Sequence, residues 1–215
     1  MSDNHKKILI MEAGGIGDIV MSTPALRALR AKFSNSEIVL LTVPRTAQAI
    51  NIKQYADRIL YFKQEAFSKG PSRSIYKQIF SNLKLLLALR REKFDMIIDL
   101  QAIETWKASL RRFIFYKSVG AKSSVGRNSD GKGFFLDVKV NDDLFGKVHE
   151  VDRKLLIASA LGAETKNTKQ EFTIPIEDRE FINNWMADFG IDDNRTIVAL
   201  QPGAFVPSRQ WKGAG

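Results

Sequence analysis

The segment Lys7–Ala31, KILIMEAGGIGDIVMSTPALRALRA, constrains this chain more than any other. An apolar, strand-like run at Ile8–Met11 stops at the glycine turn Gly14-Gly15-Ile16-Gly17, Asp18 follows at once, and helical spacing begins. Glycines permit close approach of a ligand to the backbone, and the end of a strand is where open α/β folds bind ligands. The turn is not the dinucleotide fingerprint G-x-G-x-x-G, because its third glycine does not follow, and no G-K-[ST] closes it as a P-loop. Two readings stay open: a plain strand-to-helix turn, or a cradle in which Gly15 and Gly17 approach phosphate near the helix N-terminus. Asp18 likewise reads as a helix cap or as a general base, and one carboxylate can serve both roles.

The rest of the chain alternates strand and helix patterns. Strands are expected at Glu37–Val43, Arg58–Phe62, Phe94–Leu100, Ser118–Gly126, around Phe134–Val140, and at Thr196–Leu200. Helices are expected at Ile19–Lys32, Arg45–Lys53, Ser74–Arg91, Trp106–Tyr116, His149–Leu161 and Asp178–Phe189. Pro24 leaves two possibilities: Thr23 caps a helix with Pro24 at its first position, or a short helical turn precedes a kink. FDMIIDL, residues 94–100, has the continuous apolar character of a strand buried on both faces. The βα alternation implies an α/β fold with a Rossmann-like, doubly wound parallel sheet. The polar stretch Gly162–Gln170 reads as a linker, and the single helix and single strand beyond it are too little for a second domain.

The net charge of +9 is localised. Residues 63–93 hold eight basic and two acidic residues, and residues 105–127 hold six basic and no acidic ones. Such a field suits an anionic partner or forms a solvated basic face. A basic pI alone points to nucleic acid, and no nucleic-acid motif supports it. Cysteine is absent, which removes disulfides and thiolate metal sites. The chain has no eighteen-residue apolar run and no signal-peptide pattern at its start.

Asp95 reads as a turn residue, whereas Asp99 and Gln101 fall on the ligand side of the sheet by the same topology as Asp18. Lys107 and Arg111, four apart, share a helix face that either holds phosphate or carboxylate or is simply solvated, with Arg112 beside them. His5 and His149 have no metal-ligand spacing, and neither D-x-D nor G-x-S-x-G occurs. After Thr196–Leu200 comes a Pro-Gly loop that ends in Arg209 and Trp211, with Arg209 placed to meet phosphate.

Four segments together resemble glycosyltransferase family 9, the bacterial heptosyltransferases of lipopolysaccharide core synthesis. They are ILIMEAGGIGDIVMSTPALRALR; FDMIIDLQ with Lys107-Ala-Ser downstream; VGAKSSVGR followed by His149-Glu-Val-Asp-Arg; and LQPGAF…SRQW. The resemblance implies the N-terminal half of a GT-B fold: residues 1–162 as an acceptor-binding domain, 163–177 as a linker, and 178–215 as the start of a truncated nucleotide-sugar-binding domain. It implies inverting transfer of a sugar from a nucleotide sugar, ADP-heptose in the family, to a lipopolysaccharide core acceptor, with Asp18 as general base. By the same resemblance Gly15, Gly17, Gly203, Ala204 and Arg209 stand on the donor and phosphate side, and Gln101, Lys107 and Arg111 on the acceptor side.

No metal and no cofactor beyond the substrate nucleotide sugar are implied. The implied location is the cytoplasm, in peripheral contact with the inner membrane through an anionic glycolipid; nucleic acid is not an implied partner. The family pattern continues with a D-[ST]-G-x-x-H motif absent from these 215 residues, so this polypeptide alone is expected not to turn over. The alternative is a non-catalytic module that binds nucleotide or glycolipid.

Overall fold

The apolar runs do assemble into one parallel sheet. The computed structural model describes residues 6–62, 75–141, 148–191, 196–201 and 203, and for residues 75–83 the backbone only. They divide into two compact units, Met1–Thr173 and Ile174–Gly215. In the first unit six strands pair side by side: β1 (Lys7–Met11), β2 (Glu37–Thr42), β3 (Arg58–Tyr61), β4 (Met96–Asp99), β5 (Ser123–Arg127) and β6 (Val138–Val140). Their order is β3-β2-β1-β4-β5-β6 and every pairing is parallel. This is the doubly wound order whose switch point, between β1 and β4, opens a crevice beyond the carboxyl ends of those strands.

Side-chain alternation along the strands separates two apolar layers. Ile8, Ile10, Ile38 and Leu40 pack with Leu26 and Leu29 of α1 (Ile16–Lys32) and Ile157 of α5 (Glu150–Ser159). Leu9, Met11, Val39, Leu41 and Ile97 pack on the other face with Leu89 of α3 (Ile75–Glu92) and with Tyr116 and Val119 of α4 (Trp106–Val119). The central strands are therefore covered on both sides, which is why they read as unbroken apolar runs rather than alternating ones.

Helix α1 starts at Ile16 and is continuous through Pro24, so Thr23 does not cap it and Pro24 is not its first position. Pro24 has no N–H to give the carbonyl of Val20, and the Thr23 hydroxyl donates to that carbonyl instead, at 2.8 Å. Expected Arg45–Lys53 becomes a four-residue helix α2 (Pro44–Ala47) and a 3-10 turn at Ile52–Gln54. α4 runs three residues further than its apolar stripe suggests, into the segment expected as strand. It ends where Gly120 takes a left-handed conformation (φ 70°), and β5 starts only at Ser123.

Residues 163–173 pack with the first unit. Arg27 donates to the carbonyls of Asn167 and Lys169 at 3.0 and 3.1 Å and pairs with Glu171. The Tyr55 hydroxyl also donates to Glu171, whose N–H reaches the Thr23 hydroxyl at 3.0 Å, and Thr173 N–H reaches the Ala49 carbonyl at 2.9 Å. Burial first, and then the hydrogen bond to Glu171, push the Tyr55 phenol well above its ordinary range, so it stays a donor.

In the second unit α6 (Ile176–Asp188) forms close to its expected bounds. The expected strand Thr196–Leu200 does not: these residues lie in no ladder, and Val198 and Leu200 are 75% and 85% exposed. An apolar run becomes a strand only when another strand pairs with it, and no described residue of this unit supplies one.

At the amino ends of the strands four charged side chains form one network. Glu92, at the end of α3, pairs with Arg58 of β3 at 2.9 Å and with Lys7 of β1, while Glu37 of β2 meets Arg58 at 2.9 Å and Lys7 at 3.3 Å. Hydrogen bonds from Arg58 and then Lys7 hold the Glu92 carboxyl down at about 2, against an ordinary 4.5. This contribution to stability is complete above the ordinary value and is lost as pH falls through the lowered one. Urea unfolding should show Glu92→Gln less stable at neutral pH by about 1 kcal/mol, with the difference shrinking below pH ~4 and gone near pH ~2. A difference that does not change with pH would mean that this network does not act through charge.

Candidate functional site

Polar groups gather at the opposite, carboxyl ends of β1 and β4. Directly after strand β1 comes Glu12, which is completely buried. Its carboxylate is met by the buried Lys154 ammonium of α5, by the Ser22 hydroxyl of α1 at 2.6 Å, and by the N–H of Gly14 at 3.3 Å. Lys154 also donates to the Leu100 carbonyl just past β4, at 3.2 Å. One ion pair thus joins the ends of both central strands to two helices. A charge removed from water this completely persists only when paired and hydrogen-bonded.

The glycine turn is built on this anchor. Gly15 is the residue before the first turn of α1, and Asp18, in that first turn, accepts the Gly15 N–H through Oδ2 at 2.7 Å. Asp18 is therefore not the capping residue itself; it reaches back from the third helical position, where a carboxylate also meets the positive end of the helix dipole. The fit is close. A Cβ at Gly14 would stand 2.5 Å from Asp18 Oδ2 and 2.7 Å from Asp18 Cβ, so only glycine lets the carboxylate lie against the turn. Gly17 faces open space, with nothing within 4 Å of a Cβ placed there.

Asp18 and Glu12 line a cavity of about 280 Å³ with Gln101, Glu104, Glu150, Arg153 and Lys154. Its charges are largely matched within the wall: Glu150 takes both terminal nitrogens of the buried Arg127 and one of Arg153, the latter at 3.2 Å. His149 serves this wall structurally, capping α5 by accepting the Val151 N–H through Nδ1 at 3.2 Å. Mixed carboxylates, amide and cations around a small polar cavity, with Asp18 at its edge, suit a polyhydroxylated ligand.

Gln101 borders a second, larger cavity of about 590 Å³, lined by Met11, Leu41, Phe62, Phe115, Arg111 and Arg112 among others. Arg112 is held to the buried Asp99 and donates to the Gln101 side chain at 3.1 Å; the Tyr116 hydroxyl donates to Asp99 at 2.9 Å. Burial works against the Arg112 charge, and Asp99 more than offsets it, so the guanidinium is held above its ordinary value. Burial, then the Asp99 charge, raise the Tyr116 phenol well above its usual range. Gln101 is thus fixed by Arg112, and the cavity has an apolar floor with a cationic rim.

Of the residues singled out in the sequence, Asp18, Gly15 and Gln101 come together at the switch point, and Arg111 borders the neighbouring cavity. Lys107 is exposed on α4 and lines neither cavity. Gly203 lies in the second unit, where its carbonyl accepts from the Gln201 side chain at 3.1 Å; Ala204 and Arg209 lie outside the described residues. Sequence reasoning missed Glu12, Lys154, Glu150 and Arg153. Glu12 carried a usable signal, being a carboxylate placed directly at the end of β1. Among the described residues no cluster of three or more His, Asp or Glu is arranged to hold a metal ion, and no helix is long and apolar enough to cross a membrane.

The sheet order and the placement of the crevice define a Rossmann-like α/β domain. Solved structures share it. A glycosyltransferase of family 9 from Veillonella parvula superposes with a TM-score of 0.68 at 19% identity, over 98% of this chain and 57% of that one. The ADP-heptose lipopolysaccharide heptosyltransferase II of E. coli gives 0.62 at 16% identity, over 96% of this chain and 57% of that one. The E. coli heptosyltransferase WaaC, solved with ADP-2-deoxy-2-fluoro heptose, gives 0.59 at 17% identity, over 77% and 51%. The chain therefore spans little more than half the length of these structures. No protein-family model and no curated protein matches its sequence.

The buried pair is testable by itself. Lys154→Met should cost about 3–5 kcal/mol in urea unfolding at neutral pH, because it strands the Glu12 carboxylate. Glu12→Leu combined with Lys154→Met should cost clearly less than Lys154→Met alone, since no buried charge is then left without its partner. Equal losses in the two variants would mean that the pair contributes packing only.

Proposed function

We propose that this chain is the acceptor-side part of an inverting glycosyltransferase of the heptosyltransferase type. The observation that carries the reading is Asp18: a carboxylate fixed by the Gly15 N–H against a glycine-only turn, at the edge of a polar cavity at the switch point of the sheet. The four sequence segments, and a fold shared with a family 9 glycosyltransferase and two heptosyltransferases, support it. In this reading Asp18 accepts the proton of an acceptor hydroxyl. The oxygen attacks the anomeric carbon of a nucleotide sugar from the face opposite the leaving group. The new C–O bond forms as the bond to the nucleoside diphosphate breaks, and the configuration inverts.

The donor is an ADP-heptose-like nucleotide sugar and the acceptor an anionic glycolipid of the lipopolysaccharide core, met at the cytoplasmic face of the inner membrane. Gln101, held by Arg112, orients acceptor hydroxyls, and Arg111 with Lys107 attracts acceptor anions. Gly15 and Gly17 leave room for the reacting sugar and the donor phosphates. Gly203, Ala204 and Arg209 belong to the donor side, Arg209 through its charge on the diphosphate. No metal or further cofactor is assigned a role.

The test is a transfer assay on the whole protein with nucleotide sugar and glycolipid acceptor. Asp18→Asn should lower kcat by at least about a hundredfold, the lower range for a lost general base, while acceptor binding changes little. Transfer that survives in Asp18→Asn would remove the base from the proposal, and acceptor binding without any transfer by the unaltered protein would favour a binding module.

A further inference from the structure

Helix α4 has an outer face that no described residue buries. Trp106, Leu110 and Ile114, spaced four apart, are 61%, 56% and 55% exposed. Residues at this spacing form one continuous stripe. The opposite face is the one that packs, through the buried Ser109, Tyr116 and Val119. Beside the stripe stand the exposed cations Lys107, Arg111 and Lys117, and no acidic residue occurs from 106 to 119. The helix is firmly ended on both sides, by the Thr105 hydroxyl accepting the Ala108 N–H at 3.1 Å and by left-handed Gly120, so its outer face is presented in a fixed geometry.

We propose that this face of α4 docks on the surface of an anionic lipid bilayer. Charge complementarity selects the occupant. A second copy meeting the same face across a twofold axis would bring three cations against their counterparts, which costs energy wherever the apolar stripe is desolvated. A nucleic-acid backbone would satisfy the cations and leave Leu110 and Ile114 without apolar contact. A bilayer with anionic headgroups satisfies both at once. Lys107, Arg111 and Lys117 lie among the headgroups, and Leu110 and Ile114 enter the acyl boundary. Trp106, with an apolar ring and one N–H donor, is the residue type that sits at that level. The one acidic neighbour in sequence, Glu104, precedes the helix and its cap.

The surface is continuous with the larger cavity, because Arg111 stands both beside the stripe and on the cavity rim. A docked α4 would hold that cavity next to the bilayer, where a lipid-anchored anionic acceptor is found; this consequence rests on the function proposed above, whereas the docking itself does not.

The test is co-sedimentation of the whole protein with vesicles of phosphatidylcholine alone or mixed with phosphatidylglycerol. It is read alongside tryptophan emission in a Trp185→Phe/Trp211→Phe background, where Trp106 is the sole reporter. Binding to the mixed vesicles with a blue shift of Trp106, weakened by salt, is expected. Leu110→Gln/Ile114→Gln should reduce partitioning at least about tenfold while far-UV circular dichroism and urea unfolding stay as they were. Absence of binding to the mixed vesicles, or equal binding by the unaltered and double-variant proteins, overturns the proposal. So does a dimer that the double variant abolishes, which would assign the face to a second copy. No transfer is needed for this measurement, so the docking surface and the enzymatic reading stand or fall separately.

Discussion

One buried charge organises the functional end of this molecule. Glu12 is shut off from water at the end of β1, and its carboxylate exists there only because Lys154, Ser22 and the Gly14 N–H converge on it. Those partners come from α5, α1 and the glycine turn, and Lys154 reaches on to the backbone after β4. Removing a carboxylate from water costs several kcal/mol unless it is paired and hydrogen-bonded. The requirement therefore fixes four elements relative to one another, and the position of Asp18 follows from the turn so fixed.

The two ends of the sheet make a useful contrast. At the amino ends, Lys7, Glu37, Arg58 and Glu92 close a network among themselves, and Asp95 accepts the Lys7 N–H and pairs with Lys122 at 2.6 Å. Those six side chains are thus paired with one another. At the carboxyl ends the polar side chains line two cavities that share Gln101, one with a wall of mixed charges and one with an apolar floor and cationic rim. The proposed acceptor, a sugar bearing hydroxyls and acidic groups, would use this division with hydroxyls at the Asp18 side and anions toward Arg111.

Much of the architecture was legible in the sequence because burial on both faces leaves a plain mark. Ile8–Met11, Glu37–Val43 and Phe94–Leu100 are apolar for the reason that helices cover both sides of them. Where an outcome depended on a partner, the sequence was silent or misleading. Pro24 read either as the first position of a helix or as the site of a kink; it lies inside α1, where the Thr23 hydroxyl takes the Val20 carbonyl that Pro24 has no N–H to meet. Thr196–Leu200 has strand composition and no described strand to pair with. At the site, Asp18 and Gln101 were visible because topology alone puts strand ends near ligands. Lys154 was not, since nothing local ties it to Glu12, 142 residues away. Arg112 was seen only as a neighbour of Arg111, although its guanidinium belongs to Asp99 and Gln101.

The central claim is that the switch-point crevice brings a sugar hydroxyl to Asp18. A crystal structure of the protein with its glycolipid acceptor, or a soluble portion of that acceptor, tests it most directly. The account predicts one acceptor hydroxyl about 3 Å from an Asp18 oxygen, the distance a proton transfer requires, with Gln101 in contact with the same sugar. An acceptor bound away from the ends of β1 and β4, with Asp18 touching only its own turn, would contradict it.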